Sequence, residues 1–252
     1  MVKKNKKKSC AILIIGNEIL SGRTKDQNVS FLASWLNSNL GIKIEEVRIV
    51  PDQEKEIIKS ILDLSKNFNY VITTGGIGPT HDDITSKSIA KAFGRKYKYN
   101  PEALNILKKY YGNQFNDPRK KMAMMPENSK LIYNPSSAAP GFITKNVICL
   151  PGVPLILKSM VHNLKKYLKP GAQIFSESVN CQTVESKIAN DLTRVQKKYK
   201  KSVELGSYPF FRLGKIGVCV VLRSSKKNLL QSCHKDIIKV LTNKKIKILK
   251  GH

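Results

Sequence analysis

Acidic side chains are scarce in this chain: 18 Asp and Glu stand against 45 Lys and Arg, for a formal net charge of +27. Arginine is scarce too, at 7 of those 45, which leaves 38 lysines. A nucleic-acid-binding surface usually clusters its charge and draws on Arg for phosphate and base contacts, whereas here Lys is spread along the whole length. Nucleic acid is therefore not the expected partner. The surplus reads as lysines on solvated faces, with weak attraction for anionic partners as the functional alternative. No apolar run approaches the ~20 residues of a membrane span; the longest, 12–15 and 218–222, are strand-length, so no membrane partner is expected. The basic residues at 3–8 precede only a short apolar stretch before Gly16 and Glu18, too short for a secretory leader. Residues 1–9 read as a basic tail, and the protein is expected to be cytoplasmic. Five cysteines lie far apart without a CxxC pair, and the four histidines show no metal-ligand spacing. That argues against a disulfide framework or a zinc site and leaves Cys10, Cys149 and Cys219 as small buried hydrophobes.

What the chain does contain is alternation. Residues 10–15 read as a buried strand, 28–39 as a helix ended by Gly41, 42–50 as a strand stopped by Pro51, 53–66 as a helix capped by Asp52, and 70–74 as a third strand. Helices are predicted over 84–93, 102–111, 118–125 and 155–168, and a strand over 143–150 with a turn at Lys145–Asn146. Strands separated by helices imply a mainly parallel sheet between two helical layers. Pro170-Gly171 marks a boundary, so the domains read as 10–168 and 172–252. The second part runs strand 174–181, helix 184–198, strands 203–208 and 216–222, helix 229–241 and strand 245–249. That is a small α+β domain in βαββαβ order.

The chemistry concentrates after the third strand, in Thr73-Thr74-Gly75-Gly76-Ile77-Gly78-Pro79-Thr80-His81-Asp82-Asp83-Ile84-Thr85. Open α/β sheets bind ligands beyond the carboxyl ends of their strands. Three glycines in four residues let main-chain N–H groups approach an oxyanion, and a helix start adds partial positive charge. No Gly-Lys-Ser/Thr follows, so this is not a Walker loop, and its spacing is not that of a dinucleotide fingerprint. Asp82 and Asp83 read either as a solvated residue and a helix cap or as carboxylates holding Mg²⁺ against a phosphate. At the end of the first strand, Gly16-Asn17-Glu18-Ile19-Leu20-Ser21-Gly22-Arg23 reads either as a capped turn or as a set of ligand hydrogen bonds. Val50-Pro51-Asp52 offers a cap or an acidic catalytic group. Ala139-Pro140-Gly141-Phe142 and Leu150-Pro151-Gly152-Val153-Pro154 are ordinary turns or rigid walls of a pocket.

Taken together, Gly16-x-Glu18-Ile19-Leu20-x-Gly22, the Gly75–Thr85 loop, Ala-Pro-Gly-Phe and Leu-Pro-Gly-x-Pro resemble the molybdopterin-binding MogA/MoaB/CinA family over about residues 10–168. The likeness is greatest to the CinA competence/damage-inducible branch, and it extends to the N-terminal domain of some FAD synthases. Gly206-Ser207-Tyr208-Pro209 resembles the smaller domain that follows in CinA-like proteins, and also reads as a tight turn. The resemblance implies a three-layer αβα domain that binds a phosphorylated small molecule (molybdopterin, a nucleotide or ADP-ribose) and assembles as a homo-oligomer. MogA relatives adenylate molybdopterin with ATP and Mg²⁺ through two aspartates, which match Asp52 and Asp83 here. CinA-like members are associated with metal-dependent hydrolysis of ADP-ribose. Where MogA loops carry Arg-Asp, this chain has Asp82-Asp83, which favours a metal-centred pyrophosphatase over pterin adenylation. The deamidase domain of full-length CinA is not expected.

The resulting expectation is Mg²⁺-dependent phosphoanhydride hydrolysis. Asp52, Asp83 and Glu18 are the catalytic candidates, and Asp82 and Asp83 hold the metal. Gly16, Asn17, Ser21, Thr74, Gly75, Gly76, Gly78, Pro79, Thr80, Pro140, Gly141, Pro151 and Gly152 line the ligand. A non-catalytic pterin or nucleotide module and a molybdopterin adenylyltransferase are the alternatives.

Overall fold

The computed structural model describes residues 8–212 and 214–249, which fall into two compact units dividing between Ala172 and Gln173. Most of the basic tail lies outside the described residues. Lys8 and Ser9, assigned to that tail from sequence, instead open the first strand, β1 (Lys8–Ile15), and pair with Ile42 and Lys43.

In the first unit β1 is buried from Cys10 to Ile15 on both faces, as a central parallel strand must be. A one-turn helix α1 (Asn17–Leu20) follows, then α2 (Asn28–Leu40), β2 (Ile42–Val50), α3 (Glu54–Asn67), β3 (Tyr70–Thr74) and α4 (Thr85–Ala92). Gly41 ends α2 at φ 60 and donates its N–H to Asn37 O, a left-handed cap that glycine adopts without strain. The chain continues through β4 (Tyr97–Tyr99), α5 (Pro101–Tyr111), α6 (Asp117–Lys121), β5 (Met124–Pro126), β6 (Lys130–Ile132), β7 (Gly141–Thr144), β8 (Val147–Leu150) and α7 (Pro154–Met160).

The main sheet has the order β2-β1-β3-β8-β7-β6. Its first four strands are parallel, while β7 and β6 join antiparallel. On one face Ile12, Ile14, Ile72 and Ile148 pack under α2 and α7; on the other Ala11, Leu13, Ile15 and Val71 pack under α3, α4 and α5. This is the three-layer αβα arrangement expected from the alternation.

Two expectations change, and the turn expected at Lys145–Asn146 is present. The helix over 118–125 is only α6, capped by the Asn116 side chain on Arg119 N–H, after which the chain extends as β5 and pairs with β4. Burial of Met125 outweighs helical propensity there. The strand over 143–150 is a hairpin, β7 and β8, folded at Lys145 with φ 53. The last helix is α only to Met160 and continues as a 3₁₀ turn over Val161–Lys166.

The second unit comprises β9 (Phe175–Cys181), α8 (Glu185–Tyr199), β10 (Glu204–Arg212), β11 (Lys215–Ser224), α9 (Lys227–Asn243) and β12 (Ile248–Leu249). Its sheet order β10-β11-β9-β12 places β11 between β9 and β10, the split βαβ arrangement. Ile188 and Val195 of α8, with Leu230, Cys233, Ile237 and Leu241 of α9, cover Val179, Val218, Val220 and Leu222. Among the described residues no helix is long and apolar enough to cross a membrane.

Candidate anion-binding site

Parallel pairing brings the carboxyl ends of β1, β2, β3 and β8 to one edge of the sheet, and the sequence motifs follow those ends. Gly16 N–H donates to Val50 O at 3.2 Å and Gly75 N–H to Leu150 O at 3.2 Å, so the strand ladder reaches into both glycine turns. The first residue of antiparallel β7, Gly141, lies at the same edge.

Two loop glycines have a steric reason to be glycine. Gly75 has φ 101, and a Cβ there would stand 2.2 Å from Ile15 O, inside a backbone carbonyl. Gly76 has φ 67, and a Cβ would stand 2.1 Å from Thr85 Oγ1. The loop is thus folded down onto β1 and onto the first residue of α4, whose N–H donates to Gly76 O at 3.0 Å. Gly152 packs against Gly75, close enough that its own Cβ would be 3.3 Å from Gly75 Cα.

Neither Asp52 nor Asp83 caps the helix that follows it. Asp52 does not cap α3, whose N-cap is Gln53; its Oδ2 accepts from Asn17 N–H at 2.8 Å and so caps the one-turn α1. Asp83 does not cap α4 either. Its Oδ2 accepts from Thr80 N–H at 2.8 Å and from the Thr80 hydroxyl, closing the 80–83 turn. Asp82 is exposed. Glu18 is exposed, with its carboxylate folded back over Gly16. Ser21 donates its hydroxyl to Glu18 O at 3.2 Å. Pro79 and Thr80 are exposed, Gly78 and Pro151 half-buried, and Gly152 exposed. Pro140 and Gly141 are buried, and Gly141 is there for packing: a Cβ would be 2.4 Å from Cys149 O.

Three residues of the edge were not among the sequence candidates. Asn28, 4% exposed, donates from Nδ2 to Gly152 O at 2.7 Å and so ties α2 to the 151–153 turn. Thr85 is buried beneath Gly76; its place at the end of the quoted loop motif was the signal. Lys121 donates its ammonium to Thr80 O from the end of α6, a contact with no local signature. Four buried side-chain polar atoms lack a hydrogen-bond partner among the described residues, and three belong to this edge: Asn28 Oδ1, Thr74 Oγ1 and Thr85 Oγ1. Buried polar groups are nearly always paired, so their concentration beside one glycine loop marks a place where a ligand can complete the bonding. No group of three His, Cys, Asp or Glu side chains able to hold a metal occurs among the described residues.

Residues 11–170 match the family described as the probable molybdopterin binding domain. The chain belongs to that family. Beyond this molybdopterin-binding domain, residues 173–250 match the middle domain of FAD synthase, which makes the small unit similar to that module. A protein of Archaeoglobus fulgidus is 34% identical over 198 residues, 79% of this chain and 84% of its own length. One of Aeropyrum pernix is 34% identical over 248 residues, 91% of this chain and 90% of its own. Among solved structures, the protein CinA of Thermoplasma acidophilum, of unknown function, is 32% identical with a TM-score of 0.60, spanning 64% of this chain and 99% of that one.

Proposed function

We propose that the molybdopterin-binding domain holds a phosphorylated pterin or nucleotide at the carboxyl edge of the sheet, its phosphate against the Gly75–Gly78 main chain. The observation that carries this reading is the trio of unpartnered buried oxygens. The Thr74 and Thr85 hydroxyls can donate to phosphate oxygens, and Asn28 Oδ1 can accept a ring N–H. Asn28 is held for that role by its bond to Gly152. Molybdopterin, named in the family's description, offers both kinds of group, and so does FAD; ADP-ribose offers the phosphates and an exocyclic amine in place of the ring N–H.

A catalytic reading, hydrolysis of a phosphoanhydride, is favoured by one further observation: Asp82 is exposed and in no ion pair among the described residues. Its oxygens, with the remaining Asp83 oxygen, suit a hard cation such as Mg²⁺, with phosphate oxygens and water completing the shell. Asp82 and Asp83 would hold that cation, which would neutralise charge developing on the phosphates. Asp52, already fixed by Asn17 N–H, and Glu18 are the carboxylates at this edge able to orient water.

The test is calorimetric titration of the full chain with molybdopterin, FAD, ADP-ribose and ATP, with and without Mg²⁺, followed by product analysis. The expected result is saturable binding of at least one ligand, weakened about tenfold in Thr85→Val, as loss of one buried hydrogen bond to a charged group implies. Asp83→Asn is expected to abolish any Mg²⁺-dependent turnover while leaving the fold intact. Failure of all four ligands to bind would overturn the binding reading. Binding without product would leave the module reading and remove the hydrolase.

A further inference from the structure

At the opposite edge of the same sheet, where β3 and β8 begin, lies a cavity of about 350 Å³. Its position is set by Tyr70 at the start of β3 and by the Lys145–Asn146 turn that joins β7 to β8. Nothing in the reading of the glycine edge uses it.

The lining divides into two kinds of surface. Three basic residues contribute to it, Arg95, Lys130 and Lys145, the last with its ammonium over the Phe93 ring at 4.4 Å from the centroid. No carboxylate belongs to its lining, and none of the three forms an ion pair among the described residues. Glu127, whose backbone carbonyl accepts from Arg95 Nη1 at 2.8 Å, commits its carboxylate to Lys98 at 2.5 Å. An excess of positive charge around a low-dielectric recess concentrates counter-ions there. The other surface is apolar and rigid. Ile148 is 1% exposed, and the Tyr167 ring is held by its hydroxyl donating to Leu131 O at 2.9 Å. The Tyr70 oxygen accepts from Lys169 N–H at 2.9 Å, which leaves the phenol proton uncommitted. Asn146 spends both amide hydrogens on Ser65 O and Phe68 O, at 2.9 and 3.0 Å, and so fixes the rim.

We propose that this cavity is a second binding site, for a small anion carrying an aromatic or apolar body, of the size of an aryl phosphate. Arg95, Lys130 and Lys145 take the anionic head, with the Tyr70 hydroxyl as a neutral donor. The Tyr167 ring and Ile143 take the body. The volume lies at the lower end of small-molecule pockets, which are mostly apolar with a few placed polar groups.

The test uses the full chain and isothermal titration with phenyl phosphate and with inorganic phosphate at constant ionic strength. Phenyl phosphate is expected to bind at least about tenfold more tightly than inorganic phosphate. Lys130→Glu/Lys145→Glu is expected to weaken it at least about tenfold, because charge-assisted contacts are lost. Lys55→Glu/Lys59→Glu, the same charge change on exposed α3 positions, and Thr85→Val, at the other edge, are expected to leave the affinity within about twofold. All four lysines are exposed, so these variants are expected to fold. Absence of phenyl phosphate binding, equal affinity for the two probes, equal weakening by the control pair, or loss in Thr85→Val would each overturn the proposal.

Discussion

Replacing Thr74 with valine is expected to make the ligand-free protein more stable and worse at holding its ligand. Thr74 is 1% exposed at the end of β3, and its hydroxyl has no partner among the described residues. Burying an unpaired hydroxyl costs about 1–3 kcal/mol. Valine has nearly the same shape and suits a strand, so the substitution removes that cost without opening a cavity. A gain of about 1 kcal/mol raises the melting temperature of a unit this size by about 2–4 °C. The neighbouring position supplies the control. The Thr73 hydroxyl donates to Cys149 Sγ at 3.1 Å, and burial pushes that thiol up to about 12, so it stays neutral. Thr73→Val loses a bond and relieves nothing, so no gain is expected there. Urea denaturation of both variants reads the stability arm. Titration with whichever ligand the wild type takes reads the other, where loss of one hydroxyl contact to a charged group predicts about tenfold weaker binding, as for Thr85→Val. A lower midpoint for Thr74→Val, or equal shifts at the two positions, would refute the claim that Thr74 is held in reserve for a ligand.

Gly75→Ala is expected to destabilise by about 3 kcal/mol, because its Cβ meets Ile15 O at 2.2 Å and φ is 101; the urea midpoint measures it. Asp52→Ala should cost about 1 kcal/mol through loss of the Asn17 cap, while Asp52→Asn, which keeps an acceptor, should cost a few tenths; parallel denaturation curves separate the two. In the second unit the Asp236 carboxyl is held below its ordinary 3.8, chiefly by Lys198 at 2.7 Å and then by the Tyr199 hydroxyl. A depressed folded-state value means that this stability is present above about pH 4 and is lost as pH falls through the lowered value. Asp236→Asn should therefore destabilise at pH 7, by about 1 kcal/mol or less for so exposed a lysine. At pH 3 the gap from wild type should narrow, a trend that urea titrations at the two pH values read directly.

The elements that were legible in the sequence are those with enough residues to show a period. β1, α2, β2, α3 and β3 span 5 to 14 residues each, and their burial follows the 2.0 or 3.6 repeat or a continuous apolar run. The three-residue strands β4, β5 and β6 have no period to read, and they exist because each finds a partner. The Gly-Gly-x-Gly loop was legible for the same local reason: adjacent glycines after an apolar strand announce a backbone turned in a way that side chains forbid.

What each polar group does was decided by contacts far apart in the chain. Asp52 looked like the cap of the helix that follows it, and instead caps α1, 35 residues earlier. Asp83 does not cap the helix that follows it; one of its oxygens closes its own turn. Lys121 reaches Thr80 across 41 residues, and Asn28 reaches Gly152 across 124. The sequence by itself determined the alternating strands and helices and the glycine-rich turn, because backbone sterics and hydrophobic periodicity act over a few residues. Tertiary structure alone decided which hydroxyls remain unpaired and which cations gather at the far edge. Hydrogen bonds and charges are satisfied by whatever the folded sheet brings within about 3 Å, and that distance has no counterpart along the chain.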